Sequence, residues 1–397
     1  MAALLPFWEH YTEQISAKKQ VIWQLKTNNM KRLFLSFIVT LIFTIFSHAL
    51  AQDSFKSHEP ITRIKNQITV GVFPHVELIS IVQTISKYPT ALGFLMAQDS
   101  STYKTDVMNN FQPYRGHPVV LMFDRLSLQP GMLNFSAPSN IMLYTDESLN
   151  LRNDIELDDF VITRVGGIDS LIVFLDLLRD FATQSSFNEF FVDHRDFYLT
   201  IIENTLNNIG STDYIHEMES FYGKEQQSYN IVLVSLYNYV GFGNSLLRLD
   251  DIRELFNTMG PKTVIDNTPF FGDEDYLKFM IRHEFSHPFI NPLTEKNWDY
   301  IKDYSNTYDS IPEVARKKVC GDWQECINEF IIRAITTQIA FNEAEENGLQ
   351  AYEKEKLKGV SYLDSLLNKI RYYQSNRQTY STFESYYLHI LDVFKEE

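Results

Sequence analysis

The chain has 397 residues, 44% hydrophobic and 14% aromatic, and carries 35 basic against 51 acidic side chains for a formal net charge of −16. That apolar content supports a core and excludes a disordered chain, and the length suits one large domain or two ordinary ones. The first 51 residues hold five Lys/Arg and two Asp/Glu, leaving the remainder at −19, a surface that repels phosphate backbones and argues against nucleic acid as a partner.

The N-terminal elements concern targeting. Met30 is followed by the basic pair Lys31 and Arg32, an uncharged apolar run from Leu33 to Phe46, and Ala49-Leu50-Ala51 before Gln52. This is the plan of a secretory signal over 30–51. The run is shorter than the roughly 20 apolar residues of a bilayer span, although an uncleaved anchor is the alternative. Residues 1–29 then read as a non-native extension upstream of the true start. The mature chain is expected to begin at Gln52, periplasmic or secreted, with no membrane span after cleavage.

Residues 52–66 are polar and read as a leader. "QITVGVF" (67–73) predicts a strand and "VELISIVQTISKY" (76–88) an amphipathic helix. Helical spacing dominates from about 168 to 222, and each segment opens near an Asp, Asn or Ser/Thr suited to capping. The β-branched, aromatic stretch "YNIVLVSLYNYVGFGNSLL" (229–247), with its Gly-Phe-Gly break, predicts two strands, and "PKTVIDNTPFF" (261–271) offers another. From Asp275 onward the pattern is helical to the end. The fold class expected is α+β and mostly helical: a mainly helical region over 67–224, then a catalytic region over 225–397 in which a small mixed sheet precedes the helix carrying "HEFSHPF" (283–289).

In that helix His283 and His287 stand four apart, which places both imidazoles on one face, about 6 Å apart along the axis. Both can then reach one Zn²⁺ at about 2.0–2.1 Å. Glu284 is turned about 100° away, beside the metal, where it can take a proton from water whose acidity the metal raises. Two ordinary helix histidines are the competing reading. Pro288 follows His287 directly and predicts that the helix bends or ends soon after the second histidine.

A catalytic zinc needs a third protein ligand and an open position. With two cysteines in the whole chain a zinc ribbon is excluded, so the donors must be His and carboxylate. Asp322 and Glu325 form the D-x-x-E of a capping box ahead of an apolar run, which gives Glu325 a structural task. Glu329 lies one turn further in, on a part of the helix that should be buried. A buried carboxylate needs a charged partner or a metal. Glu329 is the leading third ligand, with Arg333 at i+4 holding its outer oxygen. Glu325 and His389 stay open as alternatives, as does a plain Glu–Arg surface pair.

Continuous helix would separate Cys320 from Cys326 by about 9 Å, too far for a disulfide. With Gly321 and Asp322 outside the helix, Cys320 can fold back, and a disulfide is expected at the start of the ligand helix. Two free buried thiols are the alternative.

His283-Glu284-x-x-His287 followed by Asn328-Glu329 resembles the gluzincin branch of zinc peptidases. "HEFSHPFINP", "NEFIIRA", "VELISIVQTIS" and "YRGHPVV" more closely resemble an uncharacterised family of secreted bacterial proteins, domain of unknown function 4932, across most of the mature chain. The resemblance implies a zincin-like catalytic region. By the same analogy a Tyr or His should stabilise an oxyanion, and the tail offers Tyr380 first, then Tyr373 and His389. The expectation is a secreted or periplasmic zinc metallohydrolase that acts as a peptidase on a peptide or protein substrate. The alternatives are a zinc hydrolase of a non-peptide envelope substrate and an envelope binding protein with a structural zinc.

Overall fold

Asn66 and Gln67, at φ 48° and 64°, fold strand β1 (Ile61–Lys65) back onto β2 (Ile68–Val72) as an antiparallel hairpin. Two successive positive φ angles give the turn whose twist matches that of the flanking strands. The second half of the stretch expected as a polar leader is therefore a strand. Its Arg63 and Lys65 are what an edge strand carries to discourage further pairing, so it lacks the apolar run that marks an interior strand. The computed structural model describes residues 55–97, 99–250 and 252–395. The expected signal and the extension before it lie outside the described residues. Lys56 onward forms one compact unit.

After β2 the chain makes a long helical excursion. Helix α1 (Pro74–Ile85), expected to be amphipathic, is instead buried at all twelve positions, its polar His75, Glu77, Ser80, Gln83 and Thr84 included, because neighbouring helices cover every face. It packs among α2 (Thr102–Phe111) and α3 (Pro118–Ser127), while α4 (Ile168–Gln184) covers α3. Helix α5 (Arg195–Asn208) lies on β1 and β2, and α6 (Tyr214–Tyr222) closes the excursion at Gly223, which takes up φ 68°. One polar group in this core is conspicuous. Glu77, 1% exposed on α1, accepts a hydrogen bond from the Tyr103 hydroxyl, which also meets the Tyr198 hydroxyl at 2.8 Å. Burial pushes its carboxyl up to about 7, with the hydrogen bonds from Tyr103 and Ser80 acting in the opposite direction.

The excursion ends at β3 (Ser228–Leu233), which pairs parallel to β2. Parallel neighbours require a crossover, and the helical region supplies it. Strands β4 (Gly241–Leu247) and β5 (Arg253–Met259) complete a mixed sheet in the order β1-β2-β3-β5-β4, with β5 parallel to β3 and β4 antiparallel to β5. The fold is α+β and mostly helical, as expected, but the sheet before the motif recruits two strands from the start of the unit. The expected extra strand is a separate small hairpin, β6 (Thr263–Ile265) and β7 (Thr268–Phe270), turned at Asp266 and Asn267 with φ 49° and 64°.

The remaining chain is helical. Helices α7 (Glu274–Glu284) and α8 (His287–Lys296) pack against β4 and against α9 (Trp323–Glu343). Beyond α9, α10 (Glu345–Leu357) and α11 (Leu363–Ser375) also pack on it, and α12 (Phe383–Leu391) packs on α11. Among the described residues no helix is long and apolar enough to cross a membrane.

Candidate metal centre

Asp273 starts α7 by accepting the Tyr276 N–H at 3.0 Å. The helix buries Leu277, Met280 and Ile281 and ends at Glu284, and α8 begins at His287 with Pro288 in its first turn. The expected interruption exists but falls before the second histidine instead of after it. The reason is local. Pro288 has no N–H to donate to the Glu284 carbonyl four residues back, and its ring displaces that carbonyl, so the lost turn lies upstream of the proline. Ser286 adds to the break by donating its hydroxyl to Arg282 O at 2.5 Å.

Strand β4 fits against this broken turn. A Cβ placed on Gly243 would lie 2.1 Å from Glu284 O and 3.1 Å from His287 Cβ, and one on Gly241 would lie 2.7 Å from Glu284 Oε1. The Gly-Phe-Gly sequence therefore marks a close approach of strand to motif, which only residues without side chains permit.

Despite the break, the two imidazoles stay adjacent, with ring centroids 5.0 Å apart at 87°. Helix α9 brings Glu329 to them. Its Oε1 lies 3.4 Å from His287 Nε2 and 3.6 Å from His283 Nε2, and the three donor atoms all fall within 4.8 Å of one another. Donors bonded at about 2.0–2.1 Å to a tetrahedral ion stand about 3.4 Å apart. The group therefore has the size of a metal site as it stands. Glu284 is buried alongside, its Oε2 4.0 Å from His287 Nε2, outside the three-donor group. Among the described residues no fourth His, Cys or carboxylate joins it.

Charge points the same way. Arg333 directs Nε and Nη2 at Glu329 Oε2, both at 2.9 Å, and its Nη1 reaches Glu355 Oε2 at 3.0 Å. All three side chains are buried. Glu329 and Glu355 are answered by Arg333 and by Lys358, whose Nζ lies 2.7 Å from Glu355 Oε1, but Glu284 adds a third buried carboxylate beside the two imidazoles, and a buried charge needs a counter-ion. Burial works against the charge on Glu329, yet attraction from His283, His287 and Arg333 holds its carboxyl well below the usual carboxylate range. Burial likewise pulls His287 down, but its hydrogen bond and attraction to Glu329 prevail and lift it to about 9. A proton on His287 or a metal ion answers the same deficit, and two imidazoles with one carboxylate form a group that could hold a metal ion.

The start of α9 follows the expected capping logic. Asp322 Oδ1 accepts the Glu325 N–H at 2.8 Å, and the Glu325 carboxylate accepts the Gly321 N–H at 2.7 Å. Glu325 is thereby engaged away from the histidines. Cys320 and Cys326 form a disulfide across this start, with Cα atoms 4.9 Å apart. Tyr373 is buried and donates to Phe221 O at 2.8 Å. The Tyr380 hydroxyl meets His389 Nε2 at 3.2 Å and its ring packs on Tyr386, so neither Tyr380 nor His389 makes its contacts with the donor group.

Sequence reasoning missed three neighbours. Asn291 Oδ1 stands 3.2 Å from His287 Nδ1, a helical i+4 pair that the spacing offered. Phe279 stacks on His283 at 5.2 Å and 20°, again at i+4. Glu355 gave no signal, because it sits in the charged run "EKEKLK" that reads as a solvated helix face.

Fold and centre together define a mostly helical α+β protein built round a buried donor group of two histidines and one carboxylate. The chain belongs to the family described as domain of unknown function (DUF4932), whose family model matches residues 68–393. No curated protein and no solved structure matches it.

Proposed function

We propose that the protein is an exported zinc-dependent hydrolase of the metallopeptidase type, with His283, His287 and Glu329 as metal ligands and Glu284 as general base. The observation that carries this reading is the buried group of His283, His287 and Glu329, with Glu329 Oε1 3.6 and 3.4 Å from the two imidazoles and no fourth His, Cys or carboxylate among the described residues. Structural zinc sites are closed by four protein ligands, whereas catalytic ones use three and keep a position open. Bound zinc would supply Lewis-acid chemistry, acidifying water and polarising a carbonyl. The chain's own residues do the rest. Glu284 is buried beside His287, where its carboxylate can accept a proton at Oε2 and return it to a leaving amine. Asn291 and Phe279 fix the two imidazole planes, and Arg333 occupies the outer oxygen of Glu329.

Strand β4 supports a peptide substrate. It is the last strand of the sheet, bonded to β5 along its length and to Glu156 at its Leu247 end, and it passes against Glu284 and His287. Its free edge can take up an extended chain by strand addition, which brings a backbone carbonyl to the donor group. Cleavage of a peptide library by zinc-loaded protein tests the reading. Wild type should cut and Glu284→Gln should not, and equal cleavage by the two would remove Glu284 from the chemistry.

A further inference from the structure

The donor group is embraced by one helix that supplies none of its donors. At the end of α10, Glu355 is 5% exposed and binds Arg333 through Oε2, while its Oε1 accepts from Lys358 Nζ at 2.7 Å. Lys358 in turn sets its ammonium 5.2 Å from the centre of the Phe279 ring, and Phe279 stacks on His283. The contacts close a circuit: Glu329, Arg333, Glu355, Lys358, Phe279, His283 and back to Glu329.

The geometry at Arg333 gives the circuit a purpose. A guanidinium facing one carboxylate prefers a fork in which two N–H groups meet two different oxygens. Here both Nε and Nη2 meet the same oxygen, Oε2 of Glu329, and Oε1 is left to the histidines. What holds the guanidinium in this one-sided pose is its third arm, Nη1, tied to Glu355.

We propose that Glu355 is a positioning residue that acts through Arg333 to keep Glu329 a one-oxygen metal ligand, a role that rests on the metal-site reading above. Without the Glu355 charge, Arg333 is free to turn and fork both Glu329 oxygens, drawing Oε1 off the position between the imidazoles. Sharing Arg333 between two carboxylates also limits how much it withdraws from Glu329, which preserves Glu329 as a strong donor.

The test measures zinc affinity by chelator competition and the visible spectrum of the cobalt-loaded protein. Both are recorded for wild type, Glu355→Gln, Lys358→Met and the exposed control Glu353→Gln, beside thermal unfolding of each. Glu355→Gln should weaken zinc roughly tenfold to a hundredfold, the scale of outer-partner losses, and shift the cobalt bands. Lys358→Met should move both readouts the same way by less, and Glu353→Gln should move neither. If Glu355→Gln fails to fold, Lys358→Met decides alone. Wild-type affinity with an unchanged cobalt spectrum in the decisive variant overturns the positioning role while leaving the metal site intact. Failure of wild type to bind either ion overturns both.

Discussion

Replacing Glu77 with Gln should change how stability depends on pH, and the size of the change follows from its burial. Unfolded, this carboxyl titrates near 4.5; folded, burial raises it to about 7. A group whose folded pKa is raised contributes stability below its unfolded pKa and loses it as pH rises through the folded value. The window is therefore about pH 4.5 to 7, where the native state holds a proton that the unfolded chain has released. A shift of about 2.5 units at 1.36 kcal/mol each gives a loss on the order of 3 kcal/mol between those limits. Glu77→Gln keeps a neutral oxygen for the Tyr103 hydroxyl and has nothing to ionise. Urea unfolding of both proteins at several pH values between 4.5 and 8 isolates the effect, because all other groups titrate in common. Near pH 4.5 the two should be about equally stable, and by pH 8 the Gln variant should be the more stable by on the order of 3 kcal/mol. A stability difference that stays flat across the range would refute the reasoning.

Cys320→Ser with Cys326→Ser should cost about 2 kcal/mol in denaturant unfolding, limited by the short loop that the bond closes, and reduction of wild type should have the same effect. Gly243→Ala should cost about 1–3 kcal/mol and weaken zinc, because the added methyl meets the Glu284 carbonyl. Gly116→Ala, whose added carbon has nothing within 4 Å, is the matching control and should leave zinc affinity unchanged. Glu284→Gln should keep one equivalent of zinc while losing turnover by about a hundredfold or more; zinc loss in that variant would make Glu284 a ligand.

Much of the candidate site was legible because helical spacing carries it. His283 and His287 form an i+4 pair across the α7–α8 break, Glu329 and Arg333 form one within α9, and the Asp322–Glu325 cap announces where α9 starts. The same break at Gly321-Asp322 made the disulfide readable. What escaped depends on tertiary placement. The effect of Pro288 on Glu284 was placed a turn too late, because the residue that loses its bond is the one four positions back. Strand β1 hid behind charges suited to a sheet edge. Glu355 looked like any surface glutamate until α10 packed on α9 and put it against Arg333. Tyr380 was chosen for its chemistry alone, and its hydroxyl went to His389.

The central claim is that His283, His287 and Glu329 hold one metal ion. Zinc content after dialysis against metal-free buffer, measured on wild type and on His283→Ala, His287→Ala and Glu329→Ala, tests it most directly. The account predicts one equivalent in wild type and essentially none in each folded variant. Zinc-free wild type, or equal zinc in all four proteins, would contradict it.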